Sequence, residues 1–220
     1  MRILFKTNYK QDLNLAKHGG HRFWYGLLIL VLFAAPLILG GYYIGEATRI
    51  LIYAMAGLGL MVLTGFTGQV SLGHAAFLAI GAYTNAWFLA QGFSSFVALP
   101  MAALLSMIGG LLVAIPAARM SGIYLAIATL AFAIIVEDFA GHLNSITGGN
   151  RGMMVDVPML FGYQIWEPWE LYLLVLIILV AATLAVLNIL RSPLGRAMIA
   201  VRDSEVSSQA LGVNPMKIKV

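Results

Sequence analysis

Long apolar runs divided by short polar interruptions dominate this chain, and one interruption constrains the fold most. It spans Thr64 to Tyr83, TGFTGQVSLGHAAFLAIGAY, a polar, glycine-punctuated break flanked by roughly two bilayer-spanning lengths of hydrophobic sequence. Lipid offers no hydrogen-bond partners, so non-helical backbone at membrane depth survives only where protein buries it or where it lines a water-filled path. The break carries Thr67, Gln69, Ser71 and His74 but no formal acid or fixed base, which suits a route for a polar solute better than a proton relay. Gly65, Gly68 and Gly73 each disfavour helix by roughly 1 kcal/mol relative to alanine and let backbone approach backbone or ligand closely. We read Thr67, Gly68, Gln69, Ser71, Gly73 and His74 as a substrate path. A turn between two helices on the cytoplasmic side, with Gln69 and Ser71 as caps, is the competing reading.

Composition supports the lipid setting. Hydrophobic residues make up 61% of the 220 residues and charged residues 10%, against about 25% charged in soluble domains. The expected fold class is all-α, a polytopic membrane helix bundle with about six transmembrane helices. The chain has no cysteine, which excludes disulfides, thiolate metal sites and cysteine nucleophiles. A net charge of +4 comes from basic residues beside apolar runs, so topology explains it better than nucleic acid does. The run from Phe23 is too long for the usual signal-peptide core of about 7–15 residues and reads as an uncleaved span.

The first 22 residues form a basic tail with the potential to lie along the membrane surface. Spans are expected over about Phe23–Ile44, Arg49–Phe66, Ala75–Leu89, Phe96–Ile115, Ile123–Phe139 and Trp169–Leu190, with a turn at Gly45 to Thr48 and a kink at Pro36. Residues 23–190 thus make a transmembrane domain, followed by a polar, basic segment at 191–220. With the amino terminus inside, 11 of the 13 basic residues lie inside and only Arg49 and Arg151 outside, so both termini are assigned to the cytoplasm.

Two further stretches stand out. In RSPLGRAMIAVRDSEVSSQALGVNPMKIKV, Ser192 and Pro193 form a helix start, and Leu194, Met198 and Val201 recur as one apolar stripe. Asp203 or Ser204 begins a second short helix that Gly212 and Pro215 stop. The product is an elbow outside the membrane, suited to a groove on a soluble partner or to lipid headgroups. The other stretch, ITGGNRGMMVDVP, places Thr147, Gly148, Gly149, Asn150 and Gly152 in a tight turn that either docks a partner outside the membrane or is a plain loop. Glu137 and Asp138 sit near the outer interface, where solvation is cheap. The chain contains no GxxxxGK[ST], no HExxH and no nucleophile with a plausible base. Enzyme chemistry and metal binding therefore have no support in the sequence, and a secondary transporter or channel-like membrane protein driven by an ion gradient is one reading of the polar break, with a membrane scaffold that conducts no solute as another.

The run GLGLMVLTGFTGQVSLGHAAFLAIGAY from Gly57 to Tyr83 resembles a signature of the M-type permease subunit of bacterial branched-chain amino acid ABC importers. SGIYLAIATLAFA from Ser121, the TGG-x-x-G turn from Thr147 and PLGRAMIAVRDSEVSSQALGVNP from Pro193 match the same family, in its order. The resemblance implies a multi-pass inner-membrane subunit with no cofactor of its own. It implies four kinds of contact: a second, H-type permease subunit, two cytoplasmic ATPases that bind the ATP, a periplasmic solute-binding protein, and membrane lipid. It also implies that the elbow couples to the ATPase through Gly195, Arg196, Arg202, Asp203, Glu205, Ala210 and Gly212. Ser207 and Ser208 stand where the family commonly has alanine. Family members continue beyond this point with further helices, so the chain is expected to be a truncated form. Related systems carry urea, amides or other amino acids, and the motifs do not fix the solute.

Overall fold

A computed structural model describes residues 19–120, 122–155, 157–160 and 162–219; the basic tail before Gly19 lies outside the described residues. Helix α1 is Gly19–Ile38 and α2 is Gly41–Leu60, which continues without a break into a π-helical turn at Met61–Phe66. After seven non-helical residues come α3 (His74–Ala90), α4 (Ser95–Ala117) and α5 (Ile123–His142). A short α6 (Asn144–Thr147), a 3-10 turn (Gly149–Arg151) and a small hairpin, β1 (Met159–Leu160) with β2 (Tyr163–Gln164), precede α7 (Pro168–Arg191). Three short helices close the described chain: α8 (Pro193–Asp203), α9 (Glu205–Ala210) and α10 (Pro215–Lys219).

Among the described residues four helices, Gly41–Phe66, Ser95–Ala117, Ile123–His142 and Pro168–Arg191, are long and apolar enough to cross a membrane. Helix α1 carries a shorter apolar stretch, Phe23–Ile38, and α3 has 17 residues. The expected all-α membrane bundle is borne out, with its six predicted spans falling on α1 to α5 and α7. Large apolar side chains cover the outside of these helices, among them Leu37, Tyr53, Leu112, Ile135 and Ile177. Water would not tolerate that arrangement; lipid or further membrane helices would.

The first helix ends earlier than the sequence predicts. It stops at Ile38, and Gly40 takes an extended conformation that caps α2, so Tyr42, Tyr43 and the residues Gly45 to Thr48 are helical rather than a boundary and a turn. Ile44 is 2% exposed and belongs to a core with Leu51, Tyr172 and Leu176. Burial against α7 holds this stretch helical despite Gly45, because contacts of that size outweigh a single glycine's propensity cost. Ile44 and Leu51 meet Tyr172 and Leu176, and further along Ala54, Gly57, Leu58 and Met61 share a pocket with Leu179 and Thr183, so α2 and α7 lie side by side in the same direction. The Tyr172 hydroxyl then donates to the Leu32 carbonyl at 2.9 Å and ties α1 to the pair.

A second group forms around α3. Ser106 Oγ donates to the Phe77 carbonyl at 3.1 Å, while Gly81 faces Ser106 and Gly109 faces Ile80, so α3 and α4 form a close antiparallel pair. Small residues at such a crossing let backbones approach where lipid supplies no hydrophobic drive. Helix α5 runs parallel to α3, with the rings of Phe77 and Phe132 at 5.4 Å. The chain thus has an elbow end, where α7 meets α8 and α4 finishes, and a turn end, where α5 meets α6. The connection from Gly141 to Pro168 is more ordered than a polar loop: α5 reaches His142, and the hairpin holds Tyr163 with its hydroxyl donating to Glu170 Oε1 at 2.8 Å. That carboxylate holds the Tyr163 phenol above its ordinary pKa.

Candidate functional site

The helix ahead of the break loosens before it stops. Thr64 Oγ1 donates to the Leu60 carbonyl and Thr67 Oγ1 to that of Leu63, while the Thr67 amide reaches back five residues to Val62. Hydroxyls that bond the preceding turn compete with the regular ladder and favour a widened π turn. Gly68 then adopts φ +71°, and a side chain there would meet Arg202 Cγ at 2.7 Å. Helix resumes only at His74, whose N-cap is Gly73 with no side-chain cap, so neither Gln69 nor Ser71 acts as one.

Between those points the chain is non-helical and strictly two-faced. Thr67, Gln69, Ser71 and Gly73 are buried, and Gly68, Val70 and Leu72 are exposed. The polar side chains point into the protein and the apolar ones out, with Val70 47% and Leu72 57% exposed. His74 Nε2 donates to the Ala56 carbonyl at 2.9 Å, and its ring packs on Gly59. Ala56 precedes the helix end at Phe66 by ten residues, about 15 Å of rise, so residues 67–73 run back alongside α2 instead of looping outside it. The predicted discontinuity therefore lies within the depth of a span. The Leu72 amide finds Thr129 Oγ1 at 3.0 Å, and Gly73 lies so close to the Thr129 carbonyl that a Cβ would stand 2.1 Å from its oxygen. Thr129→Val is expected to lower stability by about 1–3 kcal/mol by orphaning that amide; thermal melting of the purified protein measures it, and an unchanged midpoint would remove Thr129 from the design.

A cavity of about 300 Å³ opens beside this segment. Gln69, Ser71 and Thr129 give it polar points, and Leu63, Phe77 and Leu111 are among its apolar walls. Ser71 Oγ is buried there without a hydrogen-bond partner, a group left for a ligand or water to satisfy. A second cleft, about 520 Å³, lies toward the turn end between α3, α5 and the Gly149–Arg151 turn. Along α5, Leu125 and Thr129 line the first space and Ala133, Val136, Glu137 and Ala140 the second. Their spacing of three or four residues makes one helical stripe, and Phe132, its ring tilted 34° against that of Phe77, stands between the two groups.

The elbow is tied to the break directly. Arg202 Nη1 donates to the Gly65 carbonyl at 2.7 Å while its Nε and Nη2 hold Asp203. Gln69 Nε2 donates to the Lys219 carbonyl at 3.1 Å, and Lys219 Nζ pairs with Glu205 at 2.6 Å. Ser192 caps α8 with Pro193 in its first turn, and Ser204, rather than Asp203, caps α9 by accepting from the Ser207 amide. Gly212, at φ +83°, ends α9, with its amide donating to Gln209 and that of Val213 to Ser208. Gly195 admits no side chain, since a Cβ would lie 2.3 Å from the Leu190 carbonyl oxygen.

Two elbow expectations are revised. Val201 faces inward and is buried, so Leu194, Met198 and Val201 are not one outward stripe; the large apolar residues exposed there are Leu194, Val206, Leu211 and Met216. A third helix, α10, also completes the elbow, begun by Asn214 Oδ1 accepting from the Met216 amide. Arg196 and Ala210 are exposed on it.

At the turn end, Thr147 Oγ1 lies 2.6 Å from the Ala140 carbonyl and 2.8 Å from that of Leu143, and accepts from the Gly149 amide. Gly148, Gly149 and Gly152 all take positive φ, and a Cβ on Gly148 would meet the Gly152 carbonyl oxygen at 2.2 Å. Asn150 reaches toward Gly141. Thr129, Lys219 and the Phe77–Phe132 pair escape a sequence reading, since contacts across many tens of residues leave no periodic trace.

Apolar helices packed around a broken, inward-polar segment define an integral membrane protein of the polytopic helical class. The chain belongs to the family described as branched-chain amino acid transport system, permease component, whose model matches residues 42–220. Similar proteins include the high-affinity branched-chain amino acid transport system permease protein LivM of Salmonella typhimurium, 34% identical over 218 residues that cover 88% of this chain and 51% of the relative. The protein of the same name from Escherichia coli is 34% identical over 223 residues, 90% of this chain and 52% of the relative. The chain spans about half the length of these curated relatives. No solved structure matches it. The family resemblance carried by the motifs is borne out.

Proposed function

We propose that this chain is the permease subunit of an ATP-binding-cassette importer that carries branched-chain amino acids, or related small polar solutes, across a bacterial inner membrane. The observation that carries this reading is the non-helical segment from Thr67 to Gly73, polar inward, with Gln69 and the preceding Gly65 bonded to the elbow. In this reading the amino terminus and the elbow are cytoplasmic and the turn of Thr147 to Gly152 faces the outside. Thr67, Gly68, Gln69, Ser71, Gly73 and His74 border the solute's route, and the Phe77–Phe132 contact separates its two ends. A cytoplasmic ATPase grips the elbow through Gly195 to Gly212, with exposed Val206 and Leu211 as apolar anchors. Movement of α8 pulls on Gly65 through Arg202, and movement of α10 pulls on Gln69. A second, H-type permease, two ATPases that hold the ATP and a periplasmic binding protein complete the assembly, the last docking at the Thr147–Gly152 turn.

The test is uptake of labelled leucine by liposomes containing the full-length subunit and these partners. Uptake that requires ATP, both ATPases and the binding protein is expected. Uptake by the permease alone, driven by an ion gradient, would overturn the proposal in favour of a secondary transporter.

A further inference from the structure

The cleft at the turn end carries two opposite charges that the transport scheme has not used. Glu137 on α5 and Arg151 in the 3-10 turn both line it, and among the described residues no ion pair joins them to each other or to a third group. The neighbouring acid, Asp138, is already engaged with His142 Nδ1 at 3.3 Å. Opposite charges that share a concave wall without touching leave a gap that one solute with both signs would bridge. The opposing wall is cut low: Ala75, Ala76 and Ala79 of α3 present only methyl groups, and Tyr83 closes the side. The space, about 520 Å³, holds a solute with a branched aliphatic side chain. Its α5 lining continues, past Phe132, into the stripe that borders the Ser71 cavity.

We propose that this cleft is a capture site for a free α-amino acid zwitterion. Arg151 takes the carboxylate, Glu137 takes the ammonium and the alanine wall accepts the side chain. A guanidinium binds a carboxylate through two parallel hydrogen bonds, and the pair of charges rejects amines and acids that carry only one. The inference rests on the transport reading and adds to it a place where solute waits before the Phe77–Phe132 contact parts.

These 220 residues hold no cysteine, so in a full-length subunit and partners whose other cysteines are replaced by serine, Ala79→Cys gives a single label at the cleft wall. The complex of permeases and ATPases, assembled without the binding protein, is labelled with a charged, membrane-impermeant thiol reagent. Millimolar L-leucine is expected to slow labelling at least 5-fold, whereas 3-methylbutylamine and 4-methylpentanoate, each lacking one charge, leave it unchanged. Glu137→Gln or Arg151→Gln should abolish protection, and Arg151→Lys should retain part of it. ATP-driven uptake by the complete assembly is measured in parallel. Normal uptake with no leucine protection of the otherwise native cleft would overturn the capture site and leave the transport reading standing. Absence of any ATP-dependent uptake would overturn both. Equal protection by the amine, the acid and leucine would show that the charges do not select a zwitterion, which also refutes the site.

Discussion

Replacing Gly73 with alanine is expected to prevent the subunit from reaching its native packing. The added methyl would sit 2.1 Å from the Thr129 carbonyl oxygen and 2.9 Å from its carbon, both backbone atoms. A side chain could rotate away, but a helix backbone has to translate. Moving α5 outward would stretch the Leu72 amide from Thr129 Oγ1, now at 3.0 Å. Overpacking of this kind costs about 1–3 kcal/mol and occasionally more, a large share of a marginal stability. Gly73→Ala should therefore give a low yield of monodisperse protein, a depressed melting temperature and no uptake. Gly65→Ala is the control, since the nearest atom to its Cβ is Met61 Cγ at 3.9 Å. If the Gly73 variant melts with the parent protein, the close crossing of segment 67–73 over α5 is wrong.

Arg202→Met should leave folding intact and disconnect the elbow. Methionine keeps an aliphatic stem over Gly68 but removes the guanidinium from the Gly65 carbonyl, a contact of 2.7 Å. Carbonyls at a helix's carboxyl end lack intrahelical donors and carry partial negative charge, so they favour a cation. A hydrogen bond to a charged group contributes about 1.5–3 kcal/mol, and each 1.4 kcal/mol is about tenfold. Uptake is thus expected to fall roughly 10- to 100-fold while assembly and ATP hydrolysis continue. Arg202→Lys, which keeps the charge and loses the fork, should fall between. Normal uptake by Arg202→Met would show that the pull on the break comes by another route.

Much of this architecture is readable before any coordinates. Apolar runs of span length locate the four later helices within about three residues, because lipid leaves helix as the only solution for an isolated segment. The glycines and hydroxyls from Thr64 to His74 mark a break, and Ser192, Pro193, Ser204 and Gly212 mark starts and stops, because caps depend on neighbours in the chain. The alternation of Thr67, Gln69, Ser71 against Gly68, Val70, Leu72 is also present as a period of two, though only folding assigns which side faces in. The first helix boundary failed for a related reason: Gly45 reads as a turn locally, yet Ile44 is locked into a core with residues more than a hundred positions away.

What the sequence determined by itself is thus local: lipid as solvent, helix as the repeating element, the place of the break, the caps of the elbow and the glycine turn after α5. Tertiary structure decided that the break doubles back along α2, that Arg202 and Lys219 close on it, that Val201 turns inward, and that Glu137 and Arg151 share one cleft. The division is physical. Propensities, caps and hydropathy act between residues a few positions apart, whereas which carbonyl meets which guanidinium depends on how whole helices pack, and that is settled only when the chain has closed on itself.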